Sequence, residues 1–264
     1  MRYRKDTIVI NPKEDIPLLL YVRNCRFTSH QQLRELLRYD SVLMARSTFN
    51  WRLERLVKSG YLEQIPNVNF AHSSAYAITR LGLAVLESHG EYAVAVNSGS
   101  RNVSHPSQLF HGLELTAIRL ALARARLLVQ WKSEIEIASS NVISTAPYAK
   151  DYDAIVDVWV GNEIRRFALE YERSLKKGRE YEDIKIAIES ETQVPCVLYL
   201  TPHPDVMLAL LRYLTPTVKP IGFGTVKAFC DLLLGVNILT SEANPMITLE
   251  EFLRYAHPLY VQAS

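Results

Sequence analysis

The sequence predicts an α/β protein of two domains, and three features of its 264 residues support this. Helical patterns and one β-hairpin fill the first domain, residues 1–96. Residues 97–107 are poor in apolar side chains and rich in Ser, Asn, Gly and Pro, which is typical of a linker. In residues 108–264, strands alternate with helices after an initial hairpin, and this order predicts a mixed sheet flanked by helices.

Four helices and a hairpin are predicted in the first domain. Helical patterns cover residues 14–25, the residues that follow a cap at Thr28 or Ser29, and residues 47–59. Gly60 is expected to end the third helix. Two strands and a fourth helix follow, at residues 61–65, 74–78 and 79–88.

The second domain is predicted to begin with a long helix at residues 109–129. The following elements are predicted in chain order: a strand at 131–137, a hairpin at 151–172, a helix at 178–190, a strand at 194–201, a helix at 205–214, a strand at 218–223 and a helix at 225–234. In residues 237–264 the only predicted element is a short helix, at 249–255.

The third helix and the hairpin after it carry a family resemblance. The strings Leu53-Glu-Arg-Leu-Val-Lys-Ser-Gly-Tyr-Leu62 and Tyr76-Ala-Ile-Thr-Arg-Leu-Gly82 resemble the recognition helix, wing and following helix of the winged helix-turn-helix family. The resemblance covers residues 14–90 and implies binding to double-stranded DNA, with the start of the third helix in the major groove. It also makes a homodimer on a two-fold DNA site the expected assembly.

The candidate DNA-binding residues lie off the apolar stripe of the third helix. They are Arg46, Ser47, Thr48, Asn50, Trp51, Arg52, Arg55 and Lys58. Arg and Asn are the side chains that pair bidentately with guanine and adenine. Because Glu54 and Glu63 dilute the positive potential, a winged helix that binds only other proteins stays an alternative.

Five carboxylates are predicted on one face of the hairpin in the second domain. A type II′ turn at Gly161-Asn162 pairs Val160 with Glu163, which puts Asp157 opposite Arg166 and Asp153 opposite Glu170. Asp151 and Glu172 complete the acidic set. The other face is predicted to be core: Tyr152, Ala154, Val156, Val158, Val160, Phe167, Leu169 and Tyr171.

Like charges opposite each other destabilise a sheet, so the acidic face requires compensation by a metal ion, by basic side chains or by solvent. Asp157 with Arg166 is most simply an ion pair. Asp153 with Glu170 has no adjacent cation in the predicted pairing. Two carboxylates on neighbouring strands suit Mg²⁺, which prefers oxygen ligands and activates water for phosphodiester cleavage.

The order of predicted elements in this domain resembles the PD-(D/E)xK nuclease fold. That order is a helix, a strand with Asp, a strand with Glu-x-(Lys or Glu), a helix and a further strand. The resemblance implies a catalytic set, formed by Asp153, Glu170, Glu172 and Lys185. It also implies metal ligands: Glu114, or His111 in its place, with Asp153 and Glu170.

The chain departs from the nuclease pattern at two positions. Tyr152 stands where Pro is expected, and Glu172 stands where the Lys is expected, so Lys185 on the next helix (or Lys176 or Lys177) would have to supply the amine. A structural ion-pair network therefore stays an alternative to a metal site.

More narrowly, residues 106–236 resemble the replication-relaxation family of plasmid and mobile-element proteins. The residues that carry the match are His111 with Glu114, Trp131, Tyr152-Asp153-Ala154, Glu170-Tyr171-Glu172-Arg173, Lys185-Ile186, Leu198-Tyr-Leu200 and Phe223-Gly-Thr225. Members of this family pair an N-terminal winged helix with this domain, as the chain is predicted to do.

Composition and the absence of certain sequence patterns reduce the number of functions that the sequence allows. The net charge is only +2, so any basic surface must be local. No signal-peptide pattern and no apolar run of membrane-spanning length is visible, and the three cysteines have no paired spacing, so a cytoplasmic protein without a membrane partner is expected. Phosphate-binding loops, nucleophile elbows and His-x-x-x-His pairs are also missing from the sequence.

Three hypotheses follow. The first is a protein that binds duplex DNA through its winged helix and uses the nuclease-like domain for assembly or regulation in replication, transfer or transcription, with other proteins of a replication or mobile-element complex as further partners. The second is an active Mg²⁺-dependent DNA endonuclease targeted by the winged helix. The third is an interaction adaptor that does not touch DNA.

Overall fold

The computed structural model describes residues 8–68, 73–92, 106–240 and 246–256. The chain divides into two compact units, Met1–Leu120 and Ala121–Ser264. Most of the predicted linker lies outside the described residues, so that prediction stays a prediction. Residues 108–120, which the sequence analysis assigned to the second domain, group with the first unit.

The first unit contains helices and a small antiparallel sheet. Its elements are α1 (Asp15–Cys25), β1 (Thr28–Ser29), α2 (His30–Tyr39), α3 (Arg46–Lys58), β2 (Leu62–Val68), β3 (Ser73–Ile78), α4 (Arg80–Ser88) and the larger part of α5 (Pro106–Arg124). The strand order is β1-β3-β2, and both pairings are antiparallel. The four predicted helices and the hairpin of this region are confirmed.

Local signals explain where these helices begin and end. Ser29 and Gln32 form a capping box at the start of α2, with the Gln32 N–H 3.2 Å from the Ser29 hydroxyl. The Thr79 hydroxyl accepts from the Gly82 N–H at the start of α4. Gly60 follows α3 with a φ of +75°, a conformation that glycine adopts without strain.

Apolar faces of the first three helices meet in one core. Its buried side chains include Leu18, Leu19, Val22, Leu33, Leu36, Leu37, Phe49, Leu53 and Leu56. Leu109 and Leu113 of α5 pack with Ala75 in a smaller cluster, and the Gln32 side chain donates to the Leu113 carbonyl at 2.7 Å. These contacts explain why the first part of α5 groups with the first unit.

The second unit is built on a seven-stranded mixed sheet, which confirms the predicted α/β class. Its elements are the end of α5, β4 (Leu128–Ser133), α6 (Glu134–Ile143), β5 (Ala154–Val160), β6 (Glu163–Tyr171), α7 (Gly178–Ser190), β7 (Val197–Thr201), α8 (Pro204–Leu214), β8 (Ile221–Thr225), α9 (Val226–Leu232), a 3-10 turn (Leu233–Gly235), β9 (Asn237–Thr240), β10 (Met246–Thr248) and α10 (Leu249–Tyr255). The strand order is β10-β9-β8-β7-β6-β5-β4. Strands β6, β7 and β8 are parallel, and the other neighbours are antiparallel.

The hairpin β5–β6 has the predicted register. Val160 pairs with Glu163 and Asp157 with Arg166. Gly161 alone of the two turn residues has a positive φ, +61°, as a type II′ turn requires. All eight residues of the predicted core face are buried.

Some predicted elements were wrong in type or length. The strand predicted at 131–137 ends at Ser133, and residues 134–143 form α6, because Ser133 and Glu136 make a capping box that starts a helix. The long helix α5 ends at Arg124 rather than near residue 129. Strand β8 begins at Ile221 rather than 218, and β9 and β10 were not predicted.

The acidic face of the hairpin is also a core face over part of its length. Ile155 and Ala168 lie between the acids and are buried with Tyr181 of α7 and Leu210 of α8. The sequence-based prediction for this face named the carboxylates and Arg166 but neither of these two apolar residues. The residues beside Glu170 are therefore enclosed by helices rather than open to water.

Candidate functional site

Helix α3 presents part of the predicted DNA-binding set to solvent. Its exposed members are Arg46, Ser47, Asn50, Trp51 and Lys58. Three other members of the set are partly buried: Thr48, Arg52 and Arg55.

Arg52 and Arg55 bind acidic residues of α1 and its cap. The fully buried side chain of Asp15 accepts hydrogen bonds from both arginines. The distance from Asp15 Oδ1 to the Arg52 Nη1 nitrogen is 2.9 Å. Glu14 also pairs with Arg52. Both guanidinium groups lie over the Trp51 ring, 5.6 and 4.8 Å from its centroid. These arginines therefore join α1 to α3, and their ion pairs engage the two side chains that the sequence assigned to DNA.

A groove between α2 and the start of α3 has the charge that an anion site needs. Its volume is about 290 Å³, and it is lined by His30, Gln31, Arg34, Glu35, Arg38 and Arg46. Within the described part of the chain, no ion pair involves Arg34, Arg38 or Arg46. Uncompensated guanidinium groups at the edge of a concave surface attract phosphate oxygens.

The sequence analysis missed the α2 side of this groove. His30, Arg34 and Arg38 are four residues apart, which places them along one helical face. That spacing was the signal that could have identified them. Of the three arginines, only Arg46 was predicted, because it lies on the recognition helix.

His30 links the two sides of the groove. Its Nε2 lies 3.1 Å from Oδ1 of Asn50, and its ring packs edge-on against Phe49 with 4.9 Å between centroids. Burial lowers the pKa of His30 below its ordinary 6.5, and the positive charges of Arg46 and Arg34 lower it further. The imidazole is therefore neutral at physiological pH, and Nε2 carries the hydrogen that binds Asn50.

In the second unit, each of the five carboxylates of the hairpin has an N–H donor. The pairs are Asn141 with Asp151, the Tyr171 backbone with Asp153, Arg166 with Asp157, Lys150 with Glu170 and Lys176 with Glu172. The predicted Asp157–Arg166 ion pair is confirmed and is bidentate, with both N–O distances at 2.8 Å. Basic and amide groups thus compensate the negative charge of the acidic face, as the sequence analysis required.

Lys150 is the residue that the sequence analysis overlooked in this cluster. Three positions upstream of Asp153, it pairs with Glu170, whose side chain is 9% exposed. Burial raises the pKa of Glu170 to about 7 against the opposing effect of the Lys150 charge. Tyr199 is the β7 neighbour of Glu170, and burial followed by the Glu170 charge raises the pKa of its hydroxyl.

The predicted metal ligands do not form a ready site for Mg²⁺. Oxygens of Asp153 and Glu170 already accept from an N–H group and an ammonium, whereas Mg²⁺ requires a nearly octahedral set of oxygens. Among the described residues, no group of three or more His, Cys, Asp or Glu side chains is arranged to hold a metal ion. Glu114, the proposed third ligand, lies in the part of α5 that belongs to the first unit.

Glu172 and Lys185, the two remaining predicted catalytic residues, differ from Asp153 and Glu170 in their surroundings. Glu172 pairs with Lys176 at 2.5 Å. Lys185 lies half-buried on α7 and forms no ion pair with a described residue. The amine beside the two central acids is therefore that of Lys150 and not of Lys185.

Comparison of the chain with protein-family models, with curated proteins and with solved structures found no match. None of the described helices combines the length and the apolar character that crossing a membrane requires.

Proposed function

We propose that this protein binds double-stranded DNA through its first unit and serves the control of replication, transfer or transcription in a plasmid or mobile element. The observation that carries the proposal is the groove lined by Arg34, Arg38 and Arg46. These three cations have no ionic partner among the described residues and lie beside the exposed start of α3.

The order of elements supports a winged helix-turn-helix in this unit. Helices α1, α2 and α3, the hairpin β2–β3 and then α4 follow one another as in the resemblance drawn from the sequence. In such proteins the first residues of the recognition helix contact base edges, while basic side chains nearby hold phosphates. Ser47 and Asn50 would read bases, and the arginines of the groove would bind the backbone.

The distribution of charge supports the same assignment. The first unit holds 15 basic and 10 acidic residues, whereas the second holds 15 basic and 18 acidic residues. The net charges are therefore +5 and −3, which add to the +2 of the whole chain. A nucleic-acid contact is expected on the positive unit.

For the second unit we propose a role in assembly or regulation. The order α5, β4, α6, β5, β6, α7 and β7, with Asp153 before β5 and Glu170 in β6, supports the resemblance to the PD-(D/E)xK fold and to the replication-relaxation family, although α6 interrupts the expected run of strands. Because each acid of the cluster has an N–H donor, no observation favours Mg²⁺-dependent cleavage over this role.

Fluorescence anisotropy with labelled duplexes of mixed sequence tests the DNA-binding proposal. Wild type is compared with Arg34→Gln/Arg38→Gln/Arg46→Gln. The matched control is Arg179→Gln/Lys227→Gln/Arg254→Gln, which removes the same charge from exposed positions of the second unit. Circular dichroism melting checks that all three proteins are folded.

We expect the groove variant to lose at least about tenfold in affinity at 100 mM salt, since each lost phosphate contact also forfeits counterion release. The control should bind like wild type. Equal loss in both variants would assign binding to bulk charge, and a wild type that binds no duplex would refute the proposed function.

A further inference from the structure

Side chains from three elements of the first unit form a chain of hydrogen bonds. Tyr76 lies on β3, the central strand of the small sheet, His30 is the first residue of α2, and Asn50 lies on α3. The Tyr76 hydroxyl is 3.4 Å from His30 Nδ1, and His30 Nε2 is 3.1 Å from Asn50 Oδ1. A buried tyrosine is thereby linked to an exposed residue near the start of α3.

The imidazole of His30 is fixed by its neighbours. Its ring packs edge-on against the fully buried Phe49 with 4.9 Å between centroids, and its centroid is 6.2 Å from that of the Tyr76 ring. A neutral imidazole accepts at one nitrogen and donates at the other. With the Tyr76 hydroxyl donating to Nδ1, the hydrogen of the ring is on Nε2 and is donated to Asn50 Oδ1.

This chain of hydrogen bonds determines which end of the Asn50 amide is left for an external partner. The oxygen of a side-chain amide accepts hydrogen bonds, whereas its nitrogen donates two. Because the Asn50 oxygen is directed at His30, the nitrogen on the other branch of the amide is directed away from it. Arg46 lies one turn earlier on the same face of α3. The exposed surface around Asn50 is therefore rich in donors.

We propose that His30 holds Asn50 with its amide nitrogen toward the DNA, and that Asn50 therefore selects guanine over adenine in the major groove. Guanine presents two acceptors there, N7 and O6, whereas adenine presents one acceptor and one donor. A bidentate pair with adenine needs the amide oxygen as well as the nitrogen, and His30 engages that oxygen. The proposal rests on the proposed binding of duplex DNA by the first unit, and it gives His30 a positioning role.

Selection of duplexes from a pool of random sequence, followed by sequencing, tests the proposal on the full chain. The base pair that Asn50 reads is identified as the position whose preference Asn50→Ala removes. The ratio of guanine to adenine at this position is then compared between wild type, His30→Phe and His30→Gln. His30→Phe keeps a ring against Phe49 without a donor, whereas His30→Gln keeps an N–H donor. Circular dichroism melting checks that each variant is folded.

We expect wild type to favour guanine over adenine by about tenfold at this position. In His30→Phe the amide is free to turn and to pair bidentately with adenine, so the ratio should fall to about one or reverse. His30→Gln restores the donor and should keep the ratio within about threefold of wild type. A purely structural role of His30 would weaken binding to all duplexes and leave the ratio unchanged.

Two results would overturn the proposal while DNA binding stands. One is a wild type that selects a base other than guanine at the Asn50 position, or whose base preferences do not change in Asn50→Ala. The other is an unchanged ratio in His30→Phe.

If His30→Phe is unfolded, Tyr76→Phe decides. It removes the hydroxyl that donates to Nδ1, so the ring hydrogen is no longer held on Nε2 and the ratio should fall toward one. An unchanged ratio in Tyr76→Phe then refutes the proposal. A wild type that enriches no duplex refutes the proposed function itself, and this result is distinct from the loss of a single base preference.

Discussion

At the scale of single residues, Asp15 determines what two arginines of α3 can do. Its carboxylate is fully buried and binds Arg52 and Arg55, which are 37 and 40 positions away in the chain. The recognition-helix pattern assigned both arginines to DNA, since a periodic pattern on one helix contains no information about a partner on another. A contact between positions that are distant in the chain can be identified only when the fold is known.

We predict that Asp15→Asn destabilises the first unit by about 3–5 kcal/mol, because it leaves the largely buried Arg55 guanidinium without its counter-charge and leaves Arg52 with Glu14 alone. Urea unfolding followed by circular dichroism measures the loss. The control is Glu54→Gln, which breaks the exposed pair of Glu54 with Lys58 and should cost less than about 0.5 kcal/mol. Similar losses in the two variants would contradict a structural role for Asp15.

His30 gives a prediction about pH. Its pKa in the fold lies below the 6.5 of the unfolded chain, first because of burial and then because of the nearby arginines. The unfolded chain therefore takes up the proton first as the pH falls. The stability that the neutral imidazole contributes is present above pH 6.5 and decreases as the pH falls below it.

The measurement compares Tm at pH 7.5 and pH 5.0 in wild type and His30→Gln. The Tm of wild type should fall further between pH 7.5 and pH 5.0 than the Tm of His30→Gln, because the glutamine amide does not titrate. The exposed His203 provides the control, because His203→Gln should retain the wild-type response to pH. An unchanged pH response in His30→Gln would show that His30 does not titrate as inferred.

At the scale of elements, local signals decided what could be predicted. The hairpin β5–β6 was predicted in register because its turn and its alternation of side chains are adjacent in sequence. Helix α6 was missed because Glu134, Ile135, Glu136 and Ile137 alternate as in a strand. The capping box of Ser133 with Glu136 was the competing signal, and it prevailed in the fold.

The acidic cluster also shows that sequence predicts only what neighbouring residues determine. Its five carboxylates could be placed on one face from strand periodicity alone. Among their partners, Arg166 was predicted and Lys176 was one of the candidate lysines. Lys150 and Asn141 could not be predicted, because they reach the cluster from a loop and from another helix. The lysines that the nuclease pattern places near the acids follow Glu170 in the chain, whereas Lys150 precedes it.

The packing of α4 against the start of β2 gives a prediction at this scale. A Cβ on Gly82 would lie 2.3 Å from the Tyr61 carbonyl oxygen, closer than any real contact. Gly82→Ala should therefore displace α4 and cost at least about 2 kcal/mol, measured as a lower urea midpoint. Gly235→Ala is the control, since its Cβ would meet no atom of the described residues within 4 Å. Equal midpoints in the two variants would contradict the close packing.

At the scale of the whole molecule, the small net charge conceals an opposition between the two units. The net charge of +2 required any basic surface to be local, and the first unit carries +5 whereas the second carries −3. Repulsion of DNA by the second unit would weaken non-specific binding along the phosphate backbone. Binding is therefore expected to depend on a few local contacts, with the groove arginines foremost among them.

This expectation can be measured as the dependence of affinity on salt. Three phosphate contacts contribute about −2.7 to the slope of log K against log salt concentration, which corresponds to about a 40-fold loss of affinity between 50 and 200 mM. Removal of Arg34, Arg38 and Arg46 should make the slope shallower by about that amount. The charge-matched variant of the second unit should keep the wild-type slope and the wild-type affinity. A wild-type slope near zero would mean that duplex binding, if observed, does not depend on phosphate contacts, and the groove would then lose its assigned role.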